Sequence, residues 1–323
     1  MVRILQLLKG MGAKRLVSCI GTVLMVVSLY FLGRRLFEIG LNFTLISSPL
    51  VVVGLILIAF FEGVGIILAS FNYISLIRNL SGIRVDRASS VFAYVTANIY
   101  KYIPGSVMYV VGRNRIAMDN DDLGHGKVAF ATIVEGLFYI IAAIIVAMLF
   151  SFKSLAVFLP DLAMSTWVLI VAAGVVVIFG CMTLGFRKVF MPRLIEFFST
   201  VELLKASVIM RRFGFALAMM FFWGSTFAAT MLLLGQPMYI GLAVRIVGLY
   251  LLSWLAGFMT PGAPSGLGVR EAVMAMFLGG MVDEGVLLAA MVLHRLLNVV
   301  GDVFAYVMGI VFRNYTINGH KLP

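Results

Sequence analysis

Several stretches of this chain stay apolar for the roughly 20 residues that a helix needs to cross about 30 Å of hydrocarbon. None shows the strict alternation of an outer-membrane strand. Runs of that length inside an ordinary soluble domain would leave more apolar surface than the domain could cover. The composition agrees: 62% of the 323 residues are hydrophobic and 12% charged, with a mean hydropathy of +1.09, far from the balance of a soluble fold. The expected class is all-α, a polytopic integral membrane helical bundle.

The formal charge of +11 raises nucleic acid as a partner, because basic patches bind phosphate backbones. Its distribution points elsewhere. Arg and Lys gather in segments that flank apolar runs, as cytoplasmic loops do under the positive-inside rule. Membrane lipids with anionic headgroups are the expected partners, and nucleic acid is not. Cys19 and Cys181 both sit in apolar runs, where a free thiol behaves as a small hydrophobe. They imply no disulfide framework. Lys14 and Arg15 occupy the place where a lipoprotein signal would be hydrophobic, so residues 16–36 read as a retained signal anchor.

Arg3, Lys9, Lys14 and Arg15 place the N-terminus in the cytoplasm, and the first span runs outward to about Gly33. A second span, about Pro49 to Ile77, returns to a loop with Arg78, Arg84 and Arg87. The next apolar stretch breaks at Pro104-Gly105, and neither half is long enough to cross. It reads as a re-entrant hairpin of two short helices, followed by the surface loop "DNDDLGHGK". A third span covers about Val128 to Phe150, "SFKSLAVFLPDLAMS" forms an external loop, and a fourth span covers about Thr166 to Leu184. Residues 187–212 mix Arg187, Lys188, Arg193, Lys205, Arg211 and Arg212 with apolar side chains, the pattern of a cytoplasmic connector with an interfacial amphipathic helix. A fifth span, about Phe213 to Leu234, ends at a "GQP" turn. From about Ile240 a short apolar helix breaks at Pro261-Gly262, a second short helix reaches about Gly280, and a final span runs from about Val286 to Phe312. Arg313 and Lys321 then place the C-terminus in the cytoplasm.

The two broken stretches match. "IPGSVMYVVGR" and "TPGAPSGLGVR" each set an Arg nine positions after the Pro: Pro104 to Arg113 and Pro261 to Arg270. The span before the first runs inward and the span before the second runs outward, so the units are inverted repeats, about 49–150 and about 213–312, within one transmembrane domain. Such repeats with broken helices are common in secondary transporters. A helix broken within the bilayer must face protein or water, which implies a cavity. Gly262, Gly266 and Gly268 allow a ligand to approach the backbone, and the following half-helix presents free N–H groups and a positive dipole end. Arg270 adds a cation able to grip phosphate oxygens with two parallel bonds. The site calls for an anion, with Ser265 beside it.

Further ionisable groups stand at membrane depth: Lys101, Glu135, Arg245, Glu271, His294, Arg295 and Asp302. Each such charge costs at least about 2.5 to 3.5 kcal/mol to insert, so each needs a partner or water. Glu135 and Arg295 occupy comparable places after the two hairpins and form a candidate pair, Glu271 balances Arg270, and His294 reads as a satisfied interior histidine. Three histidines offer no metal cluster. No Walker loop, nucleophile elbow or dinucleotide fingerprint is present, so no enzyme activity and no cofactor are expected.

"KYIPGSVMYVVGR" (Lys101 to Arg113) and "TPGAPSGLGVREAV" (Thr260 to Val273) resemble the two motifs of the lysylphosphatidylglycerol synthase transmembrane family, flippase-like proteins of bacterial and archaeal membranes. Glu135 in "TIVEGLFY", and Arg295 and Asp302 in "HRLLNVVGD", resemble that family's later acidic and basic positions. The resemblance implies a cytoplasmic-membrane domain that moves an anionic phospholipid or a polyprenyl-phosphate-linked glycan headgroup between leaflets. The aminoacyl-transfer domain of the full-length synthases is not expected here, so neither is synthesis of lysyl-lipid. Two other readings stand beside it: a non-enzymatic partner subunit of a glycosyltransferase or lipid synthase, and a small-anion carrier.

Overall fold

The computed structural model describes residues 48–100, 112–120, 123–164, 206–259, 266 and 268–319. Those residues form eight helices: α1 (Pro49–Ser81), α2 (Arg87–Ile99), α3 (Arg115–Met118), α4 (His125–Met164), α5 (Ala206–Leu233), α6 (Ile240–Met259), α7 (Val269–Leu278) and α8 (Glu284–Gly319). Five, on α1, α4, α5, α6 and α8, are long and apolar enough to cross a membrane. The protein is therefore an all-helical, multi-pass membrane protein in its described part. The predicted first span, fourth span and residues 187–205 of the connector lie outside the described residues.

Local chemistry sets the helix ends. Pro49 occupies the first turn of α1, where its missing N–H costs nothing. Gly82, at φ 71°, ends that helix in the left-handed region and returns its N–H to the Arg78 carbonyl at 2.9 Å. Asp86 caps α2 by accepting from the Ser89 N–H at 2.7 Å. Gly235, at φ 93°, turns the chain after α5, as the "GQP" sequence predicts.

Three boundaries differ from expectation. The stretch predicted as an external loop after Phe150 is helix through Met164. It lacks a glycine, and the single Pro160 inside it does not stop the helix, although an interior proline removes one ladder bond. The arm expected as a short helix before Pro261 is the 20-residue α6, about 30 Å long. Its partner α7 has 10 residues, about 15 Å, half a crossing. Finally, α5 begins at Ala206, inside the predicted connector, so Arg211 and Arg212 are helical. Arg212 is buried and donates to Asn72 Oδ1 at 2.8 Å and to Ser75 Oγ, which ties the start of α5 to the end of α1. A guanidinium with two side-chain acceptors on a neighbouring helix is better satisfied there than at an interface.

Helices α1 and α8 pack along each other and cross where glycines remove side chains from both. A Cβ on Gly63 would stand 2.7 Å from the Gly301 carbonyl oxygen, and one on Gly301 would stand 3.0 Å from that of Ala59. Close backbone approach at small residues is how apolar helices associate when lipid is as apolar as their side chains. The apolar core has two main parts, one around α4, α5, α6 and α7, the other around α1, α2 and the start of α4. Between and beside them sit the polar groups.

Two backbone-to-side-chain bonds join chain segments at opposite ends of α1. The Asp86 N–H donates to Asn120 Oδ1 at 3.1 Å, joining the start of α2 to the chain after α3. The Asp283 N–H donates to Gln236 Oε1 at 3.0 Å, joining the chain after α7 to the turn before α6. Asp86 follows the end of α1 that Arg212 holds, whereas Gln236 lies near the beginning of α1, where Gly54 meets Leu233.

Candidate functional site

Each unit brings an arginine and a glutamate together, and neither pair is the one expected. Arg113, on the returning arm of the first unit, donates from Nη1 to Glu135 Oε2 on α4. Tyr94 on α2 donates its hydroxyl to the other carboxylate oxygen at 3.0 Å. The guanidinium carbon lies 4.1 Å from the Tyr94 ring centroid and 4.5 Å from that of Tyr73. Tyr73 in turn holds Thr132 at 2.7 Å. Side chains of the Arg113–Glu135 pair are 1% and 4% exposed. A buried ion pair survives only with good geometry and extra hydrogen bonds, which the two tyrosines and the carboxylate's second oxygen supply here.

The second pair joins Glu271 on α7 to Arg295 on α8, Oε1 to Nη2 at 2.8 Å, with side chains 20% and 17% exposed. Glu271 also accepts from the Gly268 N–H at 2.7 Å through its other oxygen, satisfying one of the free donors that open α7. It does more than balance Arg270. Arg295 Nη2 reaches the Gly266 carbonyl at 3.5 Å. Glu135 and Arg295, the expected partners, thus each have a different one inside their own unit.

Glycines shape the opening of α7. Gly266 and Gly268 have φ of 69° and 83°, a region other residues avoid. A Cβ on Gly266 would stand 2.6 Å from Gly257 Cα, and one on Gly257 would stand 2.9 Å from Arg270 Cγ. The backbone of α6 and the approach to α7 therefore touch, and Arg270 lies across the crossing. Two arginines and one carboxylate thus stand around the N-terminal end of the ten-residue α7. Lys101, Pro104, Gly105, Pro261, Gly262 and Ser265 lie outside the described residues, as do the tips of both predicted hairpins.

His294 is an interior histidine with both ring nitrogens engaged: Nε2 lies 3.2 Å from the Tyr250 hydroxyl and Nδ1 lies 3.3 Å from Thr230 Oγ1. Asp302 accepts from Asn98 Nδ2 at 2.6 Å, linking α8 to α2. Sequence reasoning passed over Glu62, which is 1% exposed on α1 and accepts from the Thr226 hydroxyl of α5. The signal was available, since it is the one acid in the 33-residue α1. Gly257 was also missed, because a glycine in "WLAGFM" looks like any other small residue in an apolar helix. A groove of about 420 Å³ between α1 and α8 is lined by apolar side chains such as Leu55, Phe60 and Phe304 and offers an anion no donor. Among the described residues no cluster of His, Cys, Asp and Glu could hold a metal. Compared with protein-family models and with curated proteins, the chain matches neither.

Proposed function

We propose that this protein is a lipid transporter that carries an anionic headgroup, of a phospholipid or a polyprenyl-phosphate-linked glycan, between leaflets while the acyl chains stay in the bilayer. The observation that carries the reading is the half-length α7, opened by Gly266 and Gly268 and flanked by Arg270 and Arg295. Free N–H groups, a helix dipole and a planar guanidinium at one place suit a phosphate oxygen. The motif resemblance supports the same class of substrate.

The two broken units are re-entrant hairpins entering from opposite faces, and they form an inverted repeat. Closure of one by Asp86 and Asn120, and of the other by Gln236 and Asp283, supports this. Arg78, Arg87, Arg212 and Arg313 stand toward the end of the bundle where α1 finishes, which under the positive-inside rule supports a cytoplasmic assignment of that end and of both termini. Rocking one unit against the other would expose the Arg270 region to each side in turn.

The test is reconstitution into liposomes that contain a labelled anionic lipid. Wild type should equalise the label between leaflets; Arg270→Ala should abolish this while melting like wild type, and Arg270→Lys should recover only part, lacking the fork. Equal transfer by wild type and Arg270→Ala refutes the anion site.

A further inference from the structure

A second basic feature lies at the other end of the bundle from the turn before α6. A crevice of about 190 Å³ is lined by Phe71, Ile74, Ser75, Arg78 and Arg87, where the end of α1 meets the start of α2. Among the described residues no carboxylate lines it. The nearest acid in sequence, Asp86, is engaged in capping α2 through Ser89. Arg78 Nε is buried without a hydrogen-bond partner. Ser75 Oγ accepts from Arg212 Nη2, so its own hydrogen is left to donate, and a third guanidinium backs the crevice. Among the described lining side chains the polar ones are thus two guanidinium cations and a hydroxyl with a hydrogen to donate. That is the complement of a phosphate.

The same face of α1 changes character along its length. Leu68, Phe71, Ser75 and Arg78 recur at spacings of three and four, so they form one stripe. Leu68 and Phe71 are 48% and 40% exposed, and Phe71 meets Phe312 of α8 edge to face. An apolar stripe that ends in serine and arginine at the bundle's basic end follows the polarity of a phospholipid lying beside it. A free phosphate would use the arginines and leave the apolar part of the stripe unused.

We propose that this crevice is a binding site for a resident anionic phospholipid, whose phosphate is held by Arg78, Arg87 and Ser75 and whose chains run along Leu68 and Phe71. Basic pockets between membrane helices on the cytoplasmic side bind anionic headgroups in this way. The site is separate from the Arg270 region and does not depend on transport.

The protein in nanodiscs of phosphatidylcholine with a minor share of phosphatidylglycerol is extracted into detergent, and retained phosphatidylglycerol per chain is measured by native mass spectrometry. In an Arg270→Ala background, which removes the other anion site, Arg78→Ala with Arg87→Ala should weaken retention at least about tenfold, since each charged hydrogen bond contributes more than about 1.4 kcal/mol. Arg84→Ala with Arg211→Ala removes the same charge from exposed positions outside the crevice and should retain lipid like wild type. Equal loss in both pairs would mean general surface attraction and overturn the site. Inorganic phosphate displacing the lipid at comparable concentration would reduce it to an ion site and overturn the lipid assignment. If the alanine pair does not fold, Arg78→Gln with Arg87→Gln keeps the aliphatic stem and a polar end, removes the charge, and is judged by the same criterion.

Discussion

Removing Glu135 tests a deeply buried ion pair against a partly exposed one. In Glu135→Ala the Arg113 guanidinium stays where its side chain is 1% exposed, enclosed by the Tyr73 and Tyr94 rings, without the carboxylate that now faces it. Deleting one partner of a buried pair costs about 3 to 5 kcal/mol, because the remaining charge cannot recover its hydration. The Tyr94 hydroxyl loses its acceptor as well, adding about 1 to 3 kcal/mol if nothing replaces it. At roughly 2 °C or more per kcal/mol for a large domain, the apparent melting temperature should fall by at least about 6 °C. The second pair provides the contrast. Glu271→Ala removes a partner from a pair whose side chains are 17% and 20% exposed, together with a helix cap. That loss should cost about 1 to 2 kcal/mol, the range of a cap plus a partly solvated pair. Thermal unfolding of detergent-purified wild type, Glu135→Ala and Glu271→Ala checks both figures in one experiment. A Glu135→Ala protein that melts within about 1 °C of wild type refutes the buried-charge reasoning, as does a larger loss in Glu271→Ala than in Glu135→Ala.

Gly266→Ala combines a φ of 69° with a Cβ 2.6 Å from Gly257 Cα; it should cost at least the 1 to 3 kcal/mol or so of backbone strain. The control is Gly136→Ala on α4, where an added Cβ meets nothing within 4 Å and should be neutral or gain about 0.5 to 1 kcal/mol; equal melting of the two variants contradicts the crossing. In a background without Cys19 and Cys181, Asp119→Cys should react with a membrane-impermeant thiol reagent only from the cytoplasmic side and Glu284→Cys only from the outside. Labelling of both from one side contradicts the closure of the two hairpins at opposite faces.

How much of this was visible in the sequence follows from what membrane helices encode. Length and hydropathy identify a span, so the described spans on α1, α4, α5 and α8 fall where the apolar runs lie. Pro-Gly pairs and glycines mark breaks, so the short α7 was legible as well. Facing is different. A helix such as α1 is apolar on nearly every side because lipid covers whatever protein does not, and no polar face announces its rotation. The partner of Glu135 therefore could not be read from spacing, and equivalence in the repeat suggested Arg295 instead of Arg113. Helix ends were blurred for a related reason: Arg212 looks like a loop charge until Asn72 and Ser75 are seen to receive it.

The two ion pairs share a plan with the signs exchanged. In the first unit the arginine stands on the returning arm and the glutamate on the next long helix; in the second the glutamate stands on the arm and the arginine on the helix. What the units have in common is the tie itself. In each case a charge pair ties a short helical segment to the neighbouring long helix, whichever side carries the positive member. Counting from the prolines aligns Arg113 with Arg270, whereas pairing aligns Arg113 with Glu271, one residue further on. Arg113 therefore does in its unit what Glu271 does in the other. The Arg270 side chain lies against the glycine crossing of α6 and α7, and Glu271, the acid next to it in sequence, is engaged by Gly268 and Arg295.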